Sequence, residues 1–502
     1  MDYRLLTQNI NDVSSFLTKT EWTANSFLNS SKPVEENLRK YRGVAKNASW
    51  ARLLTGYVTL VPKVFFQIML NVTLSFLTPW EWLHKKNSNY RSYKWLILSN
   101  TSNLRPPNFI DSVMSHFDEI IGENTAYLYL NAEKSFHHAT RKMPNVFSNH
   151  RNFLCSKTSN PIETIRQVFR NIVTVWEAIQ LLKYQRELDP SQKMVIMAAI
   201  VAQFSRRTMS NFLIANEVAW HTKVLAIENF VYSFEGNAHE TCILLQLQSS
   251  SPELRIHPYQ HAPIVPSQIG LQRELLFFGK RTVLLTSGSV TKNYFKSVQE
   301  KLGLRFSILE AGSVKHQFPQ MGLQRSSPSK IDQVLFLPEG DRQNFIQFLK
   351  IMIKLSRVRG DLSLVIRKHP SLKLSGRSLR SMKSQMPSNC KISNRPLGED
   401  FYNAQICIYR SSAAAIESAV FGVYPIHIDF DNQFDLNPLD GRIVPGFDLT
   451  ASSFESLVDL VNSITNAKFD SSGHLTERLQ EVAAAYFSNP AGSEFYRYLN
   501  RE

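Results

Sequence analysis

Two apolar runs within residues 361–422 constrain the fold more than any other feature of this chain. The first, residues 362–366, is stopped by Arg367, Lys368, His369 and Pro370. The second, residues 405–409, is stopped by Arg410, Ser411 and Ser412, and an Ala-rich helical pattern follows over 413–421. Short runs that are apolar almost throughout suit strands buried on both faces, and strands that alternate with helices suit a parallel sheet. Polar residues at the C-terminal ends of such strands line the crevice where an open α/β sheet binds its ligand. No acidic residue occurs between Asp361 and Glu399, whereas Arg367, Lys368, Lys373, Arg377, Arg380, Lys383, Lys391 and Arg395 do. That stretch is expected to attract an anion, with phosphate the first guess.

The same texture extends in both directions. Apolar runs at 93–98, 126–130, 229–234, 254–259, 281–286, 304–309, 333–338, 362–367, 390–393, 405–409 and 423–429 read as strands. Helical patterns lie at 108–121, 162–184, 194–224, 291–302, 342–356, 378–386, 413–421, 453–464 and 475–487, and residues 235–240 turn into a further helix that runs through 247. In the 162–184 helix, Ile165, Val168, Phe169, Ile172, Val175, Ile179 and Leu182 follow i, i+3, i+4, i+7 spacing, so a core-facing helix is expected. Residues 312–330 are rich in Gly, Ser, Gln and Pro and read as a linker. The expected organisation is α/β, with two Rossmann-like βαβ domains facing a cleft and extra N-terminal helices. Its divisions are an N-terminal, partly helical region over 1–160, the remainder of the first Rossmann-like domain over 161–311, the linker, a second over 331–470, and closing helices over 471–502.

A formal net charge of +15 calls for an anionic partner. Nucleic acid comes last, because there is no Cys/His finger and no RNP-type aromatic motif. Four scattered cysteines without a CxxC pair predict a reducing, cytoplasmic setting and no cysteine metal site. The first residues show no secretory pattern. Residues 57–76 are apolar but carry Lys63, Gln67, Asn71 and Ser75 at every fourth position, which makes one polar helix face. Basic flanks and Trp80 and Trp82 suit either an interfacial helix on an anionic membrane surface or a helix packed on the protein's own core.

Three clusters at strand ends carry chemistry. Glu235, freed by Gly236, suits a general base towards a hydroxyl, or else the cap of the helix that follows. Arg367-Lys368-His369-Pro370 offers an imidazole and cations to a phosphate, or is an ordinary strand-ending turn; His257-Pro258 is a second such pair. Ser411 and Ser412 at a helix start suit a phosphate cradle, or an N-cap with a neighbour. Glu417, further into that helix, suits ribose hydroxyls or a solvated surface acid.

Glu-Gly, then His-Pro, then Ser-Ser, in that order across two βα domains, resembles the motif set of bacterial GT-B sialyltransferases. Residues 234–240, 259–263, 335–340, 368–370, 411–417 and 421–422 resemble, more closely still, transferase-like proteins of bacterial surface-carbohydrate (capsule and O-antigen) biosynthesis. The resemblance covers roughly residues 225–430. It implies a GT-B-like fold and inverting transfer of a sugar from a nucleotide donor, CMP-activated by preference, to a cell-surface glycan or lipid-linked acceptor. Glu235 would then take the acceptor proton; His369, Ser411 and Ser412 would hold the phosphate, with Arg367, Lys368 and Arg410 adding charge and no cofactor or obligatory metal. Tyr259-Gln260-His261 is similar to an element of polyol-phosphate transferases in which the histidine is the base, so the base lies between Glu235 and His261. Asp429 and Asp431 have the DxD spacing of metal-dependent glycosyltransferases but lie too late in the chain to count. A CDP-polyol phosphotransferase, a nucleotide-sugar epimerase or a non-catalytic membrane-surface assembly protein are the rival expectations. The expected location is cytoplasmic, with the inner membrane face as a docking surface.

Overall fold

A computed structural model describes, with short interruptions, residues 92–130, 151–155, 161–313, 333–465 and 474–499. The expected elements at 57–76, most of the 312–330 linker, and Asp431 lie outside the described residues.

Seven parallel strands make the first sheet: β1 (Trp95–Asn100), β2 (Thr125–Leu130), β3 (Asn152–Cys155), β4 (Asn229–Ser233), β5 (Arg255–Gln260), β6 (Val283–Thr286) and β7 (Ser307–Glu310), in spatial order 3-2-1-4-5-6-7. Six parallel strands make the second: β8 (Gln333–Leu337), β9 (Ser363–Arg367), β10 (Cys390–Ser393), β11 (Ile406–Tyr409), β12 (Tyr424–Ile428) and β13 (Thr450–Ala451). Their order is β10-β9-β8-β11-β12-β13, the doubly wound Rossmann order counted from β8. In both sheets the winding therefore reverses after the third strand, which puts the switch point between β1 and β4 and between β8 and β11. The expected pair of Rossmann-like α/β units is what the chain forms. Residues 93–130, which precede the expected division at 160, supply β1 and β2 to the first sheet.

The central strands follow from their composition. Leu96 faces Phe230 across β1 and β4, and Phe336 faces Ile408 across β8 and β11; all four are fully buried. Helices on both faces allow an apolar residue at every position, so these strands show runs in place of alternation.

Several sequence expectations need correction. Of the helix expected over 108–121, only His116–Ile121 forms, and Ile110–Asp111 pairs with Leu104–Arg105 as a small antiparallel ribbon. The helix α1 (Pro161–Tyr184) is present, but its apolar stripe does not face the core. Phe169 is 65% and Trp176 61% exposed, with Ile165, Ile172 and Val173 also outward. The buried side carries Gln167, Asn171 and Thr174 beside Val168 and Val175. It turns inward because its amides satisfy one another: Gln167 Nε2 and Gln203 Nε2 both donate to Asn171 Oδ1 (3.1 and 3.2 Å), and Asn171 Nδ2 donates to the Gln203 carbonyl (3.2 Å).

Between α1 and the second sheet, the chain forms α2 (Arg206–Val224), α3 (Ala238–Ser250) packed on α2, and α4 (Ser289–Leu302). The second sheet adds α5 (Arg342–Val358), α6 (Ala414–Val420) and α7 (Phe454–Thr465). The chain then returns. Helix α8 (His474–Tyr486) packs on both α6 and α4, and α9 (Glu494–Leu499) lies against the first sheet. Phe495 of α9 is fully buried between Trp95, Phe117 and His257, and Glu494 pairs with Lys292. Ser287 Oγ donates to the Tyr486 carbonyl (3.0 Å), and Tyr259 donates to the Gly312 carbonyl (2.7 Å).

This strap leaves no room at Gly288, where an added Cβ would sit 2.3 Å from the Ala485 carbonyl oxygen. The backbone there is extended, so the constraint is contact and not conformation. Gly288→Ala should cost about 1–3 kcal/mol by overpacking. Urea unfolding should show this as a lower midpoint, with proteolysis beginning at the α8–α9 segment; an unchanged midpoint would mean the strap is not held there.

Candidate functional site

The first site forms where β4 and β5 end side by side. β4 is followed by Phe234, buried in the core, and then by Glu235 and Gly236. Gly236 has φ +76°, a left-handed turn that a side chain resists, so the glycine is what lets the chain swing Glu235 off the strand axis. Helix α3 starts immediately afterwards, and its capping could have consumed Glu235. It does not. Glu240, in the first turn, reaches back to accept the Asn237 N–H (3.0 Å) and the Glu235 N–H (2.8 Å) and takes Asn237 Nδ2 (2.7 Å) on its other oxygen. Burial, then Glu274 and Glu235, push the Glu240 carboxyl well above its ordinary value. The capping reading of Glu235 therefore belongs to Glu240.

The two candidate bases turn out to be one pair. His261 follows β5, next to β4, and its Nε2 lies 3.2 Å from Glu235 Oε1. The side chain of Glu235 is 40% exposed, that of His261 8%. Among the described residues His261 Nδ1 is buried without a hydrogen-bond partner, and the nitrogen that serves the pair is Nε2. Burial acts to raise the Glu235 carboxyl, but the hydrogen bond and charge of His261 outweigh it, helped by Asn237 and His239, and hold it at about 2. Behind the pair lie Tyr259, whose ring is 6.0 Å from that of His261, and His116, 5.3 Å from Tyr259. Burial, with His261 nearby, lowers His116 to about 3, which keeps this second imidazole neutral.

The second site forms where the neighbouring strands β8 and β11 end and the connections leaving them part. After β8 comes Pro338-Glu339-Gly340, and after β11 comes Arg410-Ser411-Ser412. Arg410 Nε and Nη2 donate side-on to Glu339 Oε1 and Oε2, both at 2.8 Å, and Ser411 Oγ donates to Oε1 at 2.6 Å. Burial would raise the Glu339 carboxyl; Arg410, Ser411 and nearby His369 outweigh it and keep it below the ordinary carboxylate range. Ser412 Oγ accepts the Ala414 N–H (3.3 Å) as a local cap on the seven-residue helix α6. Glu417 is half-buried in the first turn of α6.

On the β9 side, His369 and Pro370 are exposed, and the His369 carbonyl accepts the Leu372 N–H (3.0 Å), closing a turn. Lys368 is half-buried. Arg367 Nη1 donates to Asp400 Oδ2 (2.8 Å) and to the Arg395 carbonyl. Asp400, itself buried, also takes Ser393 Oγ at 2.7 Å. The structure thus brings Glu235 to His261, and Arg410, Ser411 and His369 to Glu339, while Arg367 is tied to the neighbouring strand's loop. The other His-Pro pair is internal, with His257 buried against Asn229 Oδ1 (3.2 Å) and lowered by that burial, and by Arg255, to about 3. Glu339 had no role from sequence, although it belongs to the 335–340 motif.

Neither the protein-family models nor the curated proteins compared gave a match to the sequence. Solved structures similar to this chain include glycosyltransferase SnogD from Streptomyces nogalater, with TM-score 0.46 and 11% identity over 82% of this chain and 99% of that one. A UDP-glucose: anthocyanidin 3-O-glucosyltransferase in complex with UDP gives TM-score 0.46 and 11% identity over 82% and 98%. The UDP-GlcNAc 2-epimerase from Neisseria meningitidis bound to UDP-GlcNAc gives TM-score 0.43 and 11% identity over 79% and 95%. None of these three is a sialyltransferase. The two parallel, doubly wound sheets of this chain are read from its own strand orders.

The Glu235–His261 pair has a signature in stability. The unfolded carboxyl protonates near 4.5 and the folded one near 2, so its contribution is present above pH 4.5 and lost as pH falls towards 2. The difference in unfolding free energy between wild type and Glu235→Gln, followed by urea titration, should narrow over that interval. A difference that persists to pH 2 would mean the pair is not formed.

Proposed function

We propose that the protein is an inverting glycosyltransferase that moves a sugar from a nucleotide donor, CMP-activated by preference, to a cell-surface glycan or lipid-linked acceptor. The observation that carries this reading is the Glu235–His261 pair at the mouth of the first sheet. The exposed member is the carboxylate, and the buried imidazole fixes it from behind. Glu235 takes the proton of the acceptor hydroxyl, whose oxygen attacks the sugar carbon as its bond to the donor phosphate breaks. His261 is the positioning residue, since its Nε2 is already directed at Glu235, 3.2 Å from Oε1. A carboxylate held at about 2 is ionised at any working pH but weakly basic. Proton transfer therefore comes late, after the hydroxyl oxygen has begun to bond.

The donor phosphate is assigned to the second site. Lys368 and His369 follow β9, and Arg410, Ser411 and Ser412 follow β11, at the same sheet edge on either side of β8, which is where a doubly wound sheet binds a ligand. Arg367 and Pro370 shape that rim, Arg367 through Asp400 and Pro370 through the turn after His369; Glu417 is assigned to the ribose side. The net charge of +15 supports work beside an anionic membrane surface on the cytoplasmic side. No helix among the described residues is long and apolar enough to cross a membrane.

Glu235→Gln should lower transfer by about 10²–10⁴-fold while leaving CMP affinity within threefold. Radiolabelled transfer to a mixed glycan acceptor pool and calorimetry measure the two. At a hundredfold excess over Kd, CMP should stabilise the fold by about 2.7 kcal/mol. A dead His261→Ala beside a fully active Glu235→Gln would move the base to His261. Return of an epimerised donor with no transfer would replace the reading by epimerase chemistry.

A further inference from the structure

The arginines recruited to the second sheet's mouth are already engaged by carboxylates. Arg367 meets Asp400 at 2.8 Å, and Arg410 meets Glu339 through two bonds of 2.8 Å. Ser411, a hydroxyl aimed at the same point, also donates to Glu339 at 2.6 Å. The two oxygens of Glu339 take the side-on guanidinium edge and the hydroxyl that two phosphate oxygens would otherwise take. Two of the cations at this mouth are therefore already balanced. Arg367 and Asp400 cancel, as do Arg410 and Glu339. Lys368 has no carboxylate partner among the described residues, the charge of His369 acts on Glu339, and Glu417 lies in the first turn of α6.

We infer that Glu339 is a specificity-determining residue that restricts the donor to nucleoside monophosphate sugars, whose phosphodiester carries one negative charge, over nucleoside diphosphate sugars. This rests on the proposal above that the donor phosphate sits at this site. A single phosphate charge is balanced by Lys368 while the Arg410–Glu339 pair stays closed. At Arg410 itself a second phosphate must either displace Glu339 from the guanidinium or lie against its carboxylate. Either route penalises the diphosphate relative to the monophosphate of the same base, whichever base the protein reads.

Calorimetry of the full chain with CMP, CDP, UMP and UDP, without added metal, tests this. For the base that binds better, the wild type should hold the monophosphate at least tenfold more tightly than the diphosphate. In Glu339→Gln, which keeps the shape and removes the charge, diphosphate binding should tighten enough to close that gap to within threefold. Tighter diphosphate binding by the wild type would overturn the inference without need of any variant and would leave the nucleotide-donor reading standing. Equal weakening of all ligands by Glu339→Gln, in a variant that melts like the wild type, would also overturn it, since Glu339 would then merely prop Arg410. Failure of all four nucleotides to bind the wild type would remove the donor reading itself, and the inference with it.

Discussion

Parallel pairing is the constraint on which everything else in this protein depends. Successive parallel strands cannot be joined by a tight turn, so each connection crosses the sheet and every strand ends at the same edge. With the order 3-2-1-4-5-6 in both sheets, the connections part company at one place in each, beside β4 and beside β11. The polar residues that follow those strands have no neighbouring crossover to cover them. Glu235 and Arg410 stand at these two places for a topological reason, before any chemistry is considered.

What then differentiates the residues at each edge is a division of labour among carboxylates. Glu240 occupies the backbone N–H groups of the 235–237 turn, which leaves Glu235 to a side-chain partner. Asp400 holds Arg367 and Ser393 together across β9 and β10, stitching the rim. Glu339 holds Arg410 and Ser411. Glu339 and Asp400 lie next to donors that repay their lost hydration, as a carboxylate away from water requires, whereas burial and its acidic neighbours push Glu240 towards the protonated form.

The sheet cores were legible because their strands are nearly unbroken apolar runs, and no other element type accommodates runs of that length between turn residues. Shorter or more polar pieces were not. The strand Asn152–Cys155 and the two-residue strand Thr450–Ala451 are too short to show a period, and the helix Leu397–Asn403 opens on Pro396-Leu-Gly. Helix α1 shows the limit of periodicity: apolar residues lie on both of its sides, and only the Gln203 amide across from Asn171 decides which turns inward. At the site, Glu235, His261 and Arg410 were visible singly. Their pairings were not, because Arg410 meets a carboxylate 71 residues away and no local pattern encodes which acid will be delivered there by a neighbouring strand.

The returning strap has a consequence for biogenesis. Phe495 completes the aromatic packing around Trp95 and Phe117, and Ser287 and Gly288 are closed over by Ala485 and Tyr486. The first sheet is thus finished by residues that emerge from the ribosome only after the whole second sheet has been made. Domains generally fold as units, the N-terminal one first during synthesis; here the earlier unit receives one of its core aromatic side chains, Phe495, only once the later unit has been translated. The two halves are therefore coupled in folding order as well as in space.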